Sequence, residues 1–260
     1  MGVRLDASTR SLASARAAAK RIVRASPIAP QAERAAQLLA SRAARRDRRD
    51  NEALKLLVAA TLAPDSSGID VGANEGRVLD EIVRVAPAAH HIAYEPIPSL
   101  AAELARRFAA VDVRCAALSD EEGEVEFVHV KSRPGYSGLR ERPYPGREEV
   151  ERIQVHVERL DDVLPEGFKP SLVKIDVEGA EGKVLAGAIE TLERHRPFVV
   201  FEHGKGASPI YGTTPADIYA LLVERARLRI FDMDGAGPYS RAQLEQTVEL
   251  GTHWNFFARR

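Results

Sequence analysis

From Gly68 onward, short apolar runs alternate with stretches whose apolar positions recur every three or four residues. Strand followed by helix, repeated, is the pattern of a parallel sheet covered on both faces. The runs predict strands at Gly68–Val71, His91–Glu95, Val111–Ala117, Leu172–Asp176 and Phe198–His203. Helices are expected at Arg77–Val85, Ser99–Phe108 and Gly179–His195. Glu124–Val130 and Arg152–Val157 alternate apolar with other residues, as antiparallel strands do. Between them, Lys131–Glu149 is rich in Pro, Gly, Tyr and Arg and reads as a long hairpin or lid. Leu160–Leu164 reads as a short helical turn. Pro215 opens a helix over Ala216–Arg225 with Thr214 as its N-cap. Leu228–Phe231 and Trp254–Ala258 are the last strands. The fold class expected is α/β, a doubly wound and mostly parallel sheet.

Ahead of this body, residues 8–24 and 31–61 read as helices parted by Pro27 and Pro30. Pro64-Asp65-Ser66-Ser67 marks a boundary, giving an N-terminal helical extension over 1–64 and a main domain over 65–260, with 131–149 inserted as the lid. Charge separates the two parts. The net charge of −1 hides +8 on residues 1–50 and −9 on the remainder. The acidic body argues against a nucleic-acid surface. The basic start lacks the apolar core of a secretory signal and reads as a solvated amphipathic helix. Such a helix would suit peripheral contact with a membrane surface or a homodimer interface. No apolar run approaches the ~20 residues that cross a bilayer. The one cysteine, Cys115, excludes an internal disulfide and suits a reducing, cytoplasmic setting. It lies in an apolar run, which predicts a buried, inert thiol.

Candidate chemistry gathers at the ends of strands, where open parallel sheets bind ligands. The segment Gly68-Ile69-Asp70-Val71-Gly72-Ala73-Asn74-Glu75-Gly76 reads as a buried strand, a glycine turn and the start of a helix. Gly72 and Gly76 allow positive φ or close approach. Their spacing differs from the dinucleotide G-x-G-x-x-G pattern. Glu95, 19 residues beyond Gly76, ends the next strand. An acid there meets two ribose hydroxyls in nucleoside-binding α/β folds, in NAD sites among others. Ala117 and Leu118 would flank an adenine, with Asp120 or a backbone N–H at its edge. Asp176, Glu178, Glu202 and His203 follow at the ends of the fourth and fifth strands.

From Ile69 to Phe257 the chain resembles the FkbM family of S-adenosylmethionine-dependent O-methyltransferases. The resemblance rests on Ile69–Gly76, Tyr94-Glu95-Pro96, Ala117–Gly123, Arg159–Asp162, Phe201-Glu202 and Asn255-Phe256-Phe257. Its most specific stretch is Leu172-Val173-Lys174-Ile175-Asp176-Val177-Glu178-Gly179-Ala180-Glu181. It implies a class I, Rossmann-like sheet of seven strands ending in an antiparallel hairpin. It implies S-adenosylmethionine as the cofactor and a hydroxyl of a sugar, glycolipid or natural product as the acceptor. Asp70, Gly72, Asn74, Gly76, Glu95, Pro96, Ala117, Leu118 and Asp176 are then the cofactor-binding positions. Asp70 would orient the loop or meet the amino group of the cofactor. Asn74 would bond its carboxylate end or brace the turn.

Methylating an alcohol needs a base near the oxygen. Asp176 is the first choice, His203 the second, with Glu178 and Glu202 also within the set. Glu178 is equally suited to cap the next helix. Tyr136 and Ser137 on the lid are the acceptor-binding candidates. No metal is expected, although Asp176, Glu178 and Glu202 carry the hard oxygens that suit Mg²⁺. His90, His91, His129, His156 and His195 lack ligand spacing; His253 and Trp254 pack in the core or line the pocket. Two rival readings are a nucleotide-binding (NAD) oxidoreductase or epimerase, and a protein that binds S-adenosylmethionine without catalysis.

Overall fold

The computed structural model describes the backbone of residues 29–144 and 146–260, with side chains described from residue 42. The expected helix over 8–24 lies outside the described residues. The chain forms two compact units, residues 1–51 and 52–260. The described part of the first is the opening of helix α1 (Ala29–Thr61), on which Arg42, Arg45, Arg48 and Arg49 are exposed.

The second unit is built on a seven-stranded sheet. Its strands are β1 (Ser67–Val71), β2 (His91–Tyr94), β3 (Val111–Arg114), β7 (Pro170–Ile175), β8 (Phe198–Glu202), β9 (Arg229–Asp232) and β10 (Asn255–Arg259). Their order is β3-β2-β1-β7-β8-β10-β9. β10 runs antiparallel to β8 and β9, and the other pairs are parallel. This is the arrangement that the resemblance implies, doubly wound with an antiparallel last strand. A second, three-stranded sheet has the order β4-β6-β5, from β4 (Ala117–Leu118), β5 (Gly123–Val130) and β6 (Val150–Glu158).

Strands buried on both faces alternate between two cores. Ile69, Val71, Ile92, Val173, Ile175, Val199 and Phe201 face one core. There they meet α4 (Leu160–Val163), α5 (Glu181–Gly187), α6 (Ile189–His195) and, after α7 (Pro215–Tyr219), a π-helical turn over Ala220–Arg225. Leu172, Val200, Phe231 and Phe257 point the other way. They pack on Val58 and Leu62 and on Ile82 of α2 (Arg77–Val85). Leu79 of α2 and Leu104 of α3 (Pro98–Arg107) enclose Ala93.

Three local features depart from the sequence expectation. The strand expected over Val111–Ala117 ends at Arg114, whose carbonyl accepts from Glu95 N at 3.1 Å. Ala117 and Leu118 then join β6 in the other sheet. Cys115 lies at this break and is exposed, which corrects the expectation of a buried thiol. The single helix expected over Gly179–His195 divides at Ala188. Asp161 accepts from Glu190 N and Thr191 N at 2.9 and 2.8 Å, so a new helix starts there with capped N–H groups. Helix α8 (Arg241–Leu250) was not anticipated, although Ser240 with Gln243 forms a capping box ahead of it.

Candidate active site

β1 leads to β2 on one side and lies against β7 on the other, so the strand order reverses between β1 and β7. Loops diverge from such a point and leave a crevice at the carboxyl ends of the strands. Here a cleft encloses about 650 Å³ of empty space, part of it open to solvent. It is lined by Gly72, Asn74, Glu95, Pro96, Asp176 and Glu178, among others.

The turn after β1 is wound tightly, with Gly72 at φ 74°, Asn74 at 49° and Gly76 at 77°. Gly72 N and Ala73 N both donate to Tyr94 O at 3.0 Å, which ties the turn to β2. A Cβ on Gly72 would lie 2.0 Å from Asp176 O, so only glycine lets the two loops meet. Gly76 serves packing instead. A Cβ there would meet Leu104 of α3 at 2.6 Å, and Gly76 does not line the cleft.

Glu95 is fixed by the backbone. Its Oε2 accepts from Asn74 N at 2.8 Å and its Oε1 from Ile97 N at 2.9 Å. Burial pushes its carboxyl up from the ordinary value, and these two N–H groups pull it partly back. Each oxygen retains a lone pair for a ligand hydroxyl. Asn74 lines the cleft, and its Oδ1 is buried and without a partner, open to a polar ligand group. The opposite wall is apolar, with Ala117, Leu118, Ile97, Phe127 and Leu139. A carboxylate with free lone pairs, an apolar slot and an unpartnered amide oxygen fit a nucleoside that carries a polar tail.

Asp70 is fully buried and does not line the cleft. Its Oδ1 lies 3.1 Å from Lys174 Nζ, which also donates to Gly72 O at 2.8 Å. Burial alone would push the Lys174 ammonium down. The Asp70, Asp176 and Glu95 carboxylates outweigh it and hold Lys174 above its ordinary value. The pair thus braces the turn from beneath. Lys174 is a functional position that sequence reasoning missed. Its signal was a cation inside an otherwise apolar strand.

Four acids meet where β7 and β8 end. Asp176 lines the cleft with its side chain 46% exposed, against 22% for Glu178 and 1% for Glu181 as a residue. Glu178 has φ 59° and pairs with Arg142 Nη2 of the lid at 2.5 Å. Burial, then the Asp176 charge, push Glu178 up to about 8. Helix α5 has no side-chain cap, from Glu178 or any other residue, and Glu181 instead ties down the loop that precedes it. Its Oε1 accepts from Val177 N and Gly179 N at 3.1 and 3.0 Å, and burial pushes it up to about 7. Burial and the charges of Asp176, Glu178 and Glu181 push Glu202 well above the carboxylate range. Glu202 lines a second pocket, with Arg142, Glu181, His253 and Trp254. The Arg142–Glu178 pair thus stands between the cleft and this pocket.

Pro96, Ala117 and Leu118 line the cleft; Asp120 does not, and is held by Lys183 at 2.8 Å. Ser137 lines the cleft while its Oγ accepts from Val130 N at 2.9 Å. Tyr136 does not line it. Its ring lies under the Arg142 guanidinium at 4.7 Å and so positions that lid cation. His203 is 1% exposed and lines a different pocket with Thr213, Thr214 and Pro215. Burial pushes it down to about 4. His203 does not line the cleft and its depressed basicity disfavours proton pickup, which corrects the expectation that it stands there as a base. Phe127, Leu139 and Arg142 were missed because the second sheet and the lid reach the cleft only through tertiary structure. Among the described residues, the trio that brings three metal-ligating atoms within 4.8 Å of one another is Asp232, Asp234 and His253, not Asp176, Glu178 and Glu202.

Residues 70–229 match the family model described as the methyltransferase FkbM domain. The chain is similar to 2-O-methyltransferase NoeI of Sinorhizobium fredii, 31% identical over 157 residues that cover 54% of this chain and 64% of that protein. It is similar to methyltransferase sdnD of Sordaria araneosa, 31% identical over 156 residues, 47% of this chain and 60% of that protein. The chain thus spans less than two thirds of the length of these curated relatives. The crystal structure of methyltransferase FkbM from Methylobacillus flagellatus KT aligns at 14% identity with a TM-score of 0.48, covering 76% of this chain and 44% of that one. The family match takes in the β1 turn, Glu95 and the acids after β7 and β8, so the chain belongs to the FkbM methyltransferase domain family.

Proposed function

We propose that this chain is an S-adenosylmethionine-dependent methyltransferase that acts on a hydroxyl of a sugar or natural-product acceptor. One observation carries the reading. At the switch point, Gly72, Asn74 and Glu95 form a nucleoside-shaped cleft, and the most exposed acid of the site, Asp176, stands in the same cleft. S-adenosylmethionine supplies a methyl group already activated on a sulfonium sulfur.

The chain's own residues do the rest. Glu95, with its geometry locked by Asn74 N and Ile97 N, accepts the ribose hydroxyls. Ala117, Leu118 and Phe127 flank the adenine. Asn74 and the turn backbone hold the amino-acid end. Asp176 takes the acceptor proton. Glu178, pushed up to about 8 by burial and the Asp176 charge, is a poor base at neutral pH, and burial and the neighbouring acids push Glu202 in the same direction. The lid lines the cleft through Pro134, Gly135, Ser137 and Leu139 and so narrows the access of water to it. The relatives named as methyltransferases support the reaction, and the 2-O specificity in the name of NoeI favours a hydroxyl acceptor.

Calorimetry with S-adenosylhomocysteine and with NAD tests the cofactor; saturable binding of NAD alone sinks the reading. Asp176→Asn tests the base in an assay of labelled methyl transfer into a metabolite extract. Turnover is expected to fall about 10²–10⁴-fold, with S-adenosylhomocysteine affinity within about threefold. Equal losses in both would make Asp176 a cofactor ligand.

A further inference from the structure

One cluster outside the cleft has the make-up of a metal centre. Asp232 ends β9, Asp234 follows in the loop, and His253 precedes β10. His253 Nε2 lies 3.4 Å from Asp232 Oδ2 and 3.5 Å from Asp234 Oδ2. One atom from each residue falls within 4.8 Å of the others. For metal–ligand bonds of about 2.0–2.2 Å, ligands at tetrahedral angles stand roughly 3.4 Å apart. Neighbouring ligands of an octahedral Mg²⁺ stand roughly 3.0 Å apart. The two spacings from His253 match the tetrahedral case.

In His253 and Asp232 the atoms not used for ligation are already committed. His253 Nδ1 is hydrogen-bonded to Thr252 Oγ1 at 3.2 Å, which leaves Nε2 to bind. Asp232 Oδ1 accepts from Asp234 N and Ala236 N, both at 2.9 Å. Tyr239 donates to Asp232 Oδ2 at 2.7 Å, which fixes the carboxylate that faces His253. Metal-binding histidines and carboxylates are oriented by such outer hydrogen bonds. Asp232 is itself buried, at 2% exposure, so this is no chance meeting of solvated side chains.

We propose that Asp232, Asp234 and His253 bind a divalent transition-metal ion, with Zn²⁺ the best match to an imidazole and two carboxylates at this spacing. Three protein ligands leave a fourth position for water or a ligand atom. His253 also lines the second pocket beside Glu202 and Trp254, so the ion adjoins that pocket. The ion ties the β9 loop to the start of β10.

The test uses the full chain after dialysis against a chelator. Zn²⁺ is titrated in competition with a chromophoric indicator, with Mg²⁺ and Mn²⁺ in parallel. One Zn²⁺ per chain is expected, with a rise in melting temperature on binding. His253→Gln and Asp234→Asn should each weaken Zn²⁺ at least about 100-fold, while circular dichroism and S-adenosylhomocysteine affinity stay as in the parent. Asp232 is left intact because it caps its own loop. No stoichiometric binding would mean an ion pair only and would overturn the proposal. So would Zn²⁺ binding that survives both substitutions, or that is lost instead in Glu178→Gln or Glu202→Gln. None of these readouts requires methyl transfer, so the outcome is independent of the enzyme's reaction.

Discussion

Single positions decide how close two loops approach. Gly72 and Gly167 have similar φ values, 74° and 78°, yet a Cβ on Gly72 would strike Asp176 O while one on Gly167 meets nothing within 4 Å. Gly167→Ala should therefore cost only the left-handed backbone strain, about 1–2 kcal/mol. Gly72→Ala adds an overlap with backbone that has no room to yield, and should cost at least about 3 kcal/mol or prevent folding. Thermal melts of the two variants side by side check this. Equal losses would show that the β7 loop can withdraw. The glycine turn and the acid at Glu95 were legible in the sequence, because a ligand pressed against backbone leaves a spacing pattern. The partner that forbids a side chain at Gly72, the carbonyl of Asp176, is 104 positions away along the chain and left no such pattern.

At the scale of elements, the end of β1 and the end of β7 are joined by charge. Lys174, 6% exposed, bonds the Gly72 carbonyl and faces Asp70, which is fully buried. Lys174→Met would leave the Asp70 charge without its cation, and removal of one partner of a buried pair costs about 3–5 kcal/mol. Asp70→Asn combined with Lys174→Met should recover much of that loss. Urea denaturation of both variants decides the matter, and a double variant no more stable than Lys174→Met would refute the pairing. The strands and most helices could be read from apolar periodicity. The break at Ala188 could not, because Asp161 imposes it from another helix. Nor was the early end of β3 legible, since the ladder there is closed by a hydrogen bond from the residue after β2.

Over the whole molecule, the acids after β7 and β8 give stability a definite pH dependence. Glu181 and Glu178 are raised to about 7 and about 8 in the folded state, from 4.5 when unfolded. Between these limits the native state holds protons that the unfolded chain has lost, so stability falls as pH rises. His203, lowered to about 4, acts in the opposite sense below pH ~6.5, its unfolded value. The glutamates therefore dominate from about pH 6.5 to 8. The melting temperature should drop across that window, and Glu181→Gln should flatten the drop. A parent protein whose melting temperature rises from pH 6.5 to 8 would disprove this. The sequence by itself determined the α/β class, the order of strands and helices, and the acids placed at strand ends, because these follow from periodicity and local spacing. Tertiary structure alone decided which acids share a pocket, which one the lid arginine contacts, and that His203 lines a different pocket. Those outcomes depend on distance and burial between segments far apart in the chain, and no local pattern of residues encodes them.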